Sequence, residues 1–140
     1  MQDAHEYLIA HNIHPSQQRV AVMRYLLDHH IHPTADDIYT ALAPQMPTLS
    51  KTTIYNTLKV FADAGAIQVI TIDEEATRYD ATLLPHAHFK CQKCGLVYDI
   101  DFPANIDPTA RQPEIPKDFE LTSVQIYYQG ICAKCKRNQN

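Results

Sequence analysis

The sequence has no apolar run near the roughly 18 residues of a membrane-spanning helix, which speaks against a transmembrane role. Its first residues, MQDAHEYLIAHN, are acidic and interrupted by polar side chains, unlike a secretory signal, so a reducing cytoplasm is the expected setting. Positive charge is also short: 12 Lys and Arg stand against 16 Asp and Glu, a formal net charge of −4. A nucleic-acid binder of this composition must gather its few cations on one surface. The H-E-x-x-H signature of a zinc protease is missing, as are internal repeats and low-complexity tracts. Cysteine is scarce too, at four residues.

What is present is enough for a core. Of 140 residues, 45% are hydrophobic, which suits one domain or two small ones. The first half reads helical. DAHEYLIAHN is a short amphipathic segment, and SQQRVAVMRYLLDHH carries Val20, Met23, Leu26 and Leu27 at helical spacing. In HPTADDIYTALAPQM, Thr34 and Asp37 stand in capping-box register. Ser50 caps a further helix, SKTTIYNTLKVFADAG, which Gly65 ends. AIQVITI and ATRYDAT, separated by DEE, read as a hairpin. Helices closed by a hairpin predict a winged helix-turn-helix over residues 1–82. From Leu83 on, the pattern is strand-like (HAHFKC, GLVYDIDF, ELTSVQIYY) around a proline-rich middle, PANIDPTARQPEIP, which predicts a second domain over 83–140. The expected fold class is therefore α+β.

All four cysteines fall in two C-x-x-C pairs, Cys91/Cys94 and Cys132/Cys135. Each pair can offer two thiolates to one tetrahedral ion, and Gly95 supplies a tight turn after the first, so a closed four-thiolate zinc site is expected. Redox dithiols or disulfides are the competing readings, but neither pair lies in a βαβ context. His86 and His88 share one face of a strand, as do Asp99 and Asp101. They are either ordinary surface residues or ligands of a second site, hard enough for Fe²⁺ or Mn²⁺ and acceptable to Zn²⁺. Histidines 5, 11, 14, 29 and 30 are expected in solvent, whereas His32 is fixed just before a helix by Pro33-Thr34.

On the helix SKTTIYNTLKVFADAG, Ile54, Leu58 and Phe61 form the buried stripe. Lys51, Thr52, Tyr55, Asn56 and Lys59 line the other side, a set without an acid that suits a major groove. The acids Asp73, Glu74 and Glu75 at the hairpin tip suit phosphates less.

HPTADDIY, SKTTIYNTLKVF, RYD, HAHFKCQKCG and GICAKC, in this order, resemble the ferric-uptake-regulator superfamily of bacterial metal-dependent transcription factors over nearly the whole chain. The resemblance implies an N-terminal winged helix and a C-terminal α/β dimerisation domain. It also implies a homodimer that represses promoters when metal is bound, and a double-stranded DNA operator built as an inverted repeat. Carried over by position, Cys91, Cys94, Cys132 and Cys135 match the structural zinc ligands. His32, Asp80, His86, His88 and Asp99 match the regulatory metal ligands, and Arg19 matches a phosphate contact. Asp rather than Glu at position 99 is similar to the peroxide-sensing, PerR-like branch. That branch uses Fe²⁺-catalysed oxidation of the histidines matching His32 and His86 to release genes of oxidative stress. An iron- or zinc-responsive repressor of metal uptake genes is the alternative. Such a protein is not an enzyme, since three imidazoles and two carboxylates fill the metal. The chain departs from the family at Val124, where many members carry a histidine of a third metal site. It departs again at Pro108, Pro113 and Pro116, which must shorten or break the helix usual there.

Overall fold

In a computed structural model, the structure describes residues 3–72, 76–81, 86–103, 115–121 and 124–138. The chain divides into two compact units, Met1–Leu83 and Leu84–Asn140.

The first unit is built from α1 (Ala4–Ala10), α2 (Gln17–Asp28), α3 (Ala35–Leu42), a 3₁₀ turn at Ala43–Gln45, α4 (Lys51–Asp63), and the antiparallel pair β1 (Gln68–Ile70) and β2 (Arg78–Asp80). Its helices start where side chains satisfy the orphan backbone N–H groups. Asp3 accepts from the amides of His5 and Glu6, Ser16 from Arg19 and Ser50 from Thr53. At α3 the capping box is complete, with Thr34 accepting from the Asp37 amide and Asp37 accepting from the Thr34 amide. The carboxyl end of α4 is closed by Gly65, whose φ of 74° is left-handed and favours glycine. Leu8, Val22, Met23, Leu26, Ile38, Ile54, Leu58 and Phe61 pack into one core. The Tyr7 hydroxyl ties α1 to the start of the hairpin by donating to the carbonyl of Ala66 at 2.6 Å.

The second unit holds a three-stranded sheet of order β4-β3-β5 and a short terminal helix, α5 (Ala133–Arg137). Strand β3 (His86–Cys91) pairs antiparallel with β4 (Val97–Asp101), in a register that sets His88 opposite Asp99 and His86 opposite Asp101. On its other side β3 runs parallel to β5 (Tyr127–Gly130), with His88 opposite Tyr127 and Cys91 opposite Gly130.

Several sequence expectations need correction. The strand expected over ELTSVQIYY begins only at Tyr127 and continues to Gly130, because its partner in the parallel ladder is the stretch from His88 to Cys91. The hairpin strands are three residues each, shorter than AIQVITI and ATRYDAT, and the DEE tip lies outside the described residues. Pro108 and Pro113 also lie outside them, while Pro116 is described and is not helical.

Candidate metal centres and recognition helix

The four cysteines converge inside the second unit, their sulfurs all within 4.8 Å of one another. The turn Cys91–Gly95 brings the first pair round: the Gly95 amide donates to the Cys91 carbonyl at 2.9 Å, and Gly95 takes a left-handed φ of 79°. The second pair sits where β5 gives way to α5, with Cys132 as the helix N-cap. Cys94 and Cys132 sulfurs are 3.8 Å apart.

Backbone amides of Cys94 and Cys132 both donate to Cys91 Sγ at 3.4 Å, and these two bonds hold its thiol down at about 5. A hydrogen bond from the Tyr98 hydroxyl lowers the Cys132 thiol, and the same bond raises Tyr98 to about 12. Burial, followed by the neighbouring sulfurs, pushes the Cys135 thiol up to about 12. Four thiols this close cannot all ionise without a cation among them, so the pocket suits a divalent, thiophilic ion. The supporting role of Tyr98 had no sequence signal, since a tyrosine four residues after a C-x-x-C pair is unremarkable.

The imidazole and carboxylate residues form two groups, one in each unit. In the second unit, His86 Nε2 and His88 Nε2 lie 3.3 Å and 3.4 Å from the same Asp99 oxygen, Oδ1. The two rings meet edge-on at 4.5 Å between centroids, and both are buried. Antiparallel pairing of β3 with β4 creates this arrangement, because His88 and Asp99 are cross-strand partners. Asp101, although opposite His86, is exposed.

In the first unit, His32 Nε2 lies 3.7 Å from Asp80 Oδ2, and both side chains are almost fully buried, at 3% and 1% exposure. His32 has a left-handed φ of 57°, uncommon for a residue with a Cβ. Strand β2 holds this turn in place. Arg78 Nη1 donates to the His32 carbonyl at 2.9 Å, and the Tyr79 amide donates to the Pro33 carbonyl at 3.0 Å. Metal bonds of about 2.0–2.2 Å put neighbouring ligand atoms on one ion about 3.0–3.4 Å apart, so both groups are spaced as ligands need to be, within a few tenths of an ångström.

The model of the ferric uptake regulator family matches residues 10–129. The chain belongs to the ferric uptake regulator family. Among curated relatives, the peroxide-responsive repressor PerR of Staphylococcus epidermidis (strain ATCC 12228 / FDA PCI 1200) is 40% identical over 123 residues, covering 88% of this chain and 81% of the relative. The protein of the same name from Staphylococcus aureus (strain USA300) is 38% identical, covering 85% and 80%. Among solved structures, PerR from Streptococcus pyogenes is 29% identical with a TM-score of 0.52, over 96% of this chain and 94% of that one. The iron-containing ferric uptake regulator of Francisella tularensis is 25% identical with a TM-score of 0.69, over 89% and 95%. The α+β family fold and the PerR resemblance read from the motifs are thus borne out.

Helix α4 buries Ile54, Thr57, Leu58 and Phe61, and exposes Lys51, Thr52, Tyr55, Asn56 and Lys59. None of these five is acidic, but an acid stands beside each of the two lysines. Lys59 Nζ lies 3.1 Å from Asp63 Oδ2, one turn along α4, and Lys51 Nζ lies 3.6 Å from Asp36 on α3. Exposed pairs of this kind contribute about 0–1 kcal/mol, little enough for both lysines to exchange partners. Arg19 Nη1 donates to the His14 carbonyl at 2.8 Å, which orients the guanidinium beside the start of α2.

Of the other histidines, His5, His14, His29 and His30 are exposed as expected, and His11 is half-buried. The His11 ring lies tilted against Tyr7 and His29 stacks on Tyr25, while His30 Nδ1 lies 4.0 Å from Asp80 Oδ1. Among the described residues no helix is long and apolar enough to cross a membrane.

Proposed function

We propose that this protein is a metal-dependent transcriptional repressor that senses hydrogen peroxide and controls genes of oxidative stress. The observation that carries the reading is Asp99. Its short carboxylate puts one oxygen against both His86 and His88, in a chain 40% identical to a named peroxide-responsive repressor. In this reading Zn²⁺ is held by Cys91, Cys94, Cys132 and Cys135. His32 and Asp80 from the first unit and His86, His88 and Asp99 from the second are ligands of one regulatory ion, Fe²⁺ or Mn²⁺.

Ligands drawn from both units make metal favour one arrangement of the recognition helices, and DNA must in turn tighten metal binding. Fe²⁺ held by these residues would activate peroxide for reduction, with the histidine ring as the net two-electron reductant. In the net reaction one peroxide oxygen joins a ring carbon of His32 or His86, replacing its hydrogen, and the other leaves as water. The oxidised ring is a poor ligand, and repression ends.

The chain acts as a homodimer on an inverted repeat. Apolar side chains exposed on the second unit, among them Leu96, Tyr98, Ile100, Tyr128 and Ile131, support a partner surface there. Lys51, Thr52, Tyr55, Asn56 and Lys59 enter the major groove and Arg19 meets a phosphate. The protein works in the cytoplasm and turns over no substrate.

Peptide mass spectrometry of the Fe²⁺ and Mn²⁺ forms after brief peroxide exposure, paired with operator binding, tests the reading. Oxygen is expected on His32 or His86 of the iron form only, with loss of DNA. An iron form that stays on its operator with unmodified histidines leaves instead an iron- or zinc-responsive repressor of metal uptake genes.

A further inference from the structure

His30 has no part in the ligand set above, yet it lies beside one of its carboxylates, Asp80. Asp80 is almost fully buried, and each of its oxygens is approached by a different imidazole of the same turn. Oδ2 lies 3.7 Å from His32 Nε2 and Oδ1 lies 4.0 Å from His30 Nδ1. The two histidines differ in access. His32 is 3% exposed, whereas His30 is 52% exposed and opens to solvent. The left-handed backbone of His32 and the hydrogen bonds from Arg78 and Tyr79 fix the turn that carries both rings. His29, by contrast, stacks on Tyr25 and holds its carbonyl at 3.0 Å.

We propose that His30, His32 and Asp80 form a divalent-cation capture site belonging to the first unit alone, with His30 as its solvent-facing ligand. Two imidazoles and one carboxylate are a donor set suited to Fe²⁺, Mn²⁺ and Zn²⁺. His32 Nε2 is within a few tenths of an ångström of the about 3.0–3.4 Å that separates neighbouring ligands, whereas His30 Nδ1, at 4.0 Å, is wider than that and must swing its exposed ring toward the carboxylate to complete the set. A cation arriving from solvent meets the exposed His30 ring first, already beside the buried carboxylate that the regulatory site uses. The inference rests on the proposed function for His32 and Asp80 as ligands and adds a residue and an order of assembly to it.

The test uses full-length, zinc-loaded protein with His86→Ala and His88→Ala, which removes the second unit's imidazoles. Retained zinc and an unchanged dimer confirm that this variant is folded. Titrated with Co²⁺, it is expected to keep one weak site with a ligand-field absorption band. Adding His30→Ala should weaken that site by roughly tenfold or more, the lower bound for removing even a group that only supports a ligand. His30→Gln, which keeps the bulk without the imidazole, should weaken it likewise. In the otherwise unaltered chain, His30→Ala should slow Mn²⁺ uptake, followed by loss of the free-ion electron paramagnetic resonance signal. Residual Co²⁺ binding that is indifferent to His30, or absent from the folded double variant, overturns the capture site while leaving the regulatory site standing. If the unaltered chain takes up no ion beyond its zinc, the proposed function itself falls.

Discussion

Replacing Cys132 by Ser should unfold the second unit rather than merely loosen it. Among the described residues, the buried hydrophobic positions of that unit are Ala87, Cys91 and Cys132, so two of the three are zinc-site cysteines. Burying side chains as small as these contributes only about 1 kcal/mol each, at about 0.8 kcal/mol per buried methylene, so such a core falls short of the entropy of ordering the segment. A structural zinc site supplies about 10–16 kcal/mol, comparable with or larger than the whole stability of a typical domain, about 5–15 kcal/mol. Cys132 is also where three contacts meet: its amide donates to Cys91 Sγ, its sulfur faces Cys94, and its carbonyl accepts from the Lys136 amide of α5. The first unit has its own apolar core and should stay helical. Zinc analysis, size-exclusion chromatography and thermal melts by circular dichroism would therefore report lost zinc, lost dimer and one surviving helical transition. A Cys132→Ser protein that is zinc-free, dimeric and as heat-stable as its parent would refute the reasoning.

Asp99→Glu should keep metal-dependent DNA binding while blunting peroxide-induced release, because the added methylene displaces an oxygen now 3.3 Å and 3.4 Å from two imidazoles; operator binding before and after peroxide checks this. Tyr55→Ala should relax base preference with little change in the salt slope, whereas Arg19→Ala should weaken all sequences alike and lower the slope by about one, as seen in binding isotherms across salt. Thr34→Ala removes one half of the α3 capping box and should cost about 1 kcal/mol in denaturant unfolding of the first unit. A loss below about 0.3 kcal/mol would mean that water replaces the cap.

Local features were the readable ones. Thr34 with Asp37, and Ser50 before KTTIY, mark helix starts because the capping chemistry lies within four residues. The buried stripe of α4 follows from period alone, and the C-x-x-C pairs declare their own partners. What escaped depends on neighbours distant in sequence. The span of β5 is decided by the parallel register with β3, and the five residues of α5 grow from the cysteine turn instead of from propensity. Asp36 beside Lys51 comes from the packing of α3 against α4, and His30 meets Asp80 only because β2 returns to the end of α2. In each case the signal lay in a pair of residues that no window of the sequence contains together.

The parallel ladder between β3 and β5 also has a temporal consequence. Its two strands are separated by the whole stretch 92–126, and closing such a loop must precede any reward from the pairing. The zinc cysteines sit at the end of that ladder, Cys91 opposite Gly130 and Cys132 two residues further on. The last strand and its sulfurs leave the ribosome late, after the first unit has had time to fold. Zinc supply at that moment thus sets how quickly a newly made chain becomes a partner for another. In a zinc-starved cell the helices that read DNA would be complete long before the clamp that lets them work in pairs.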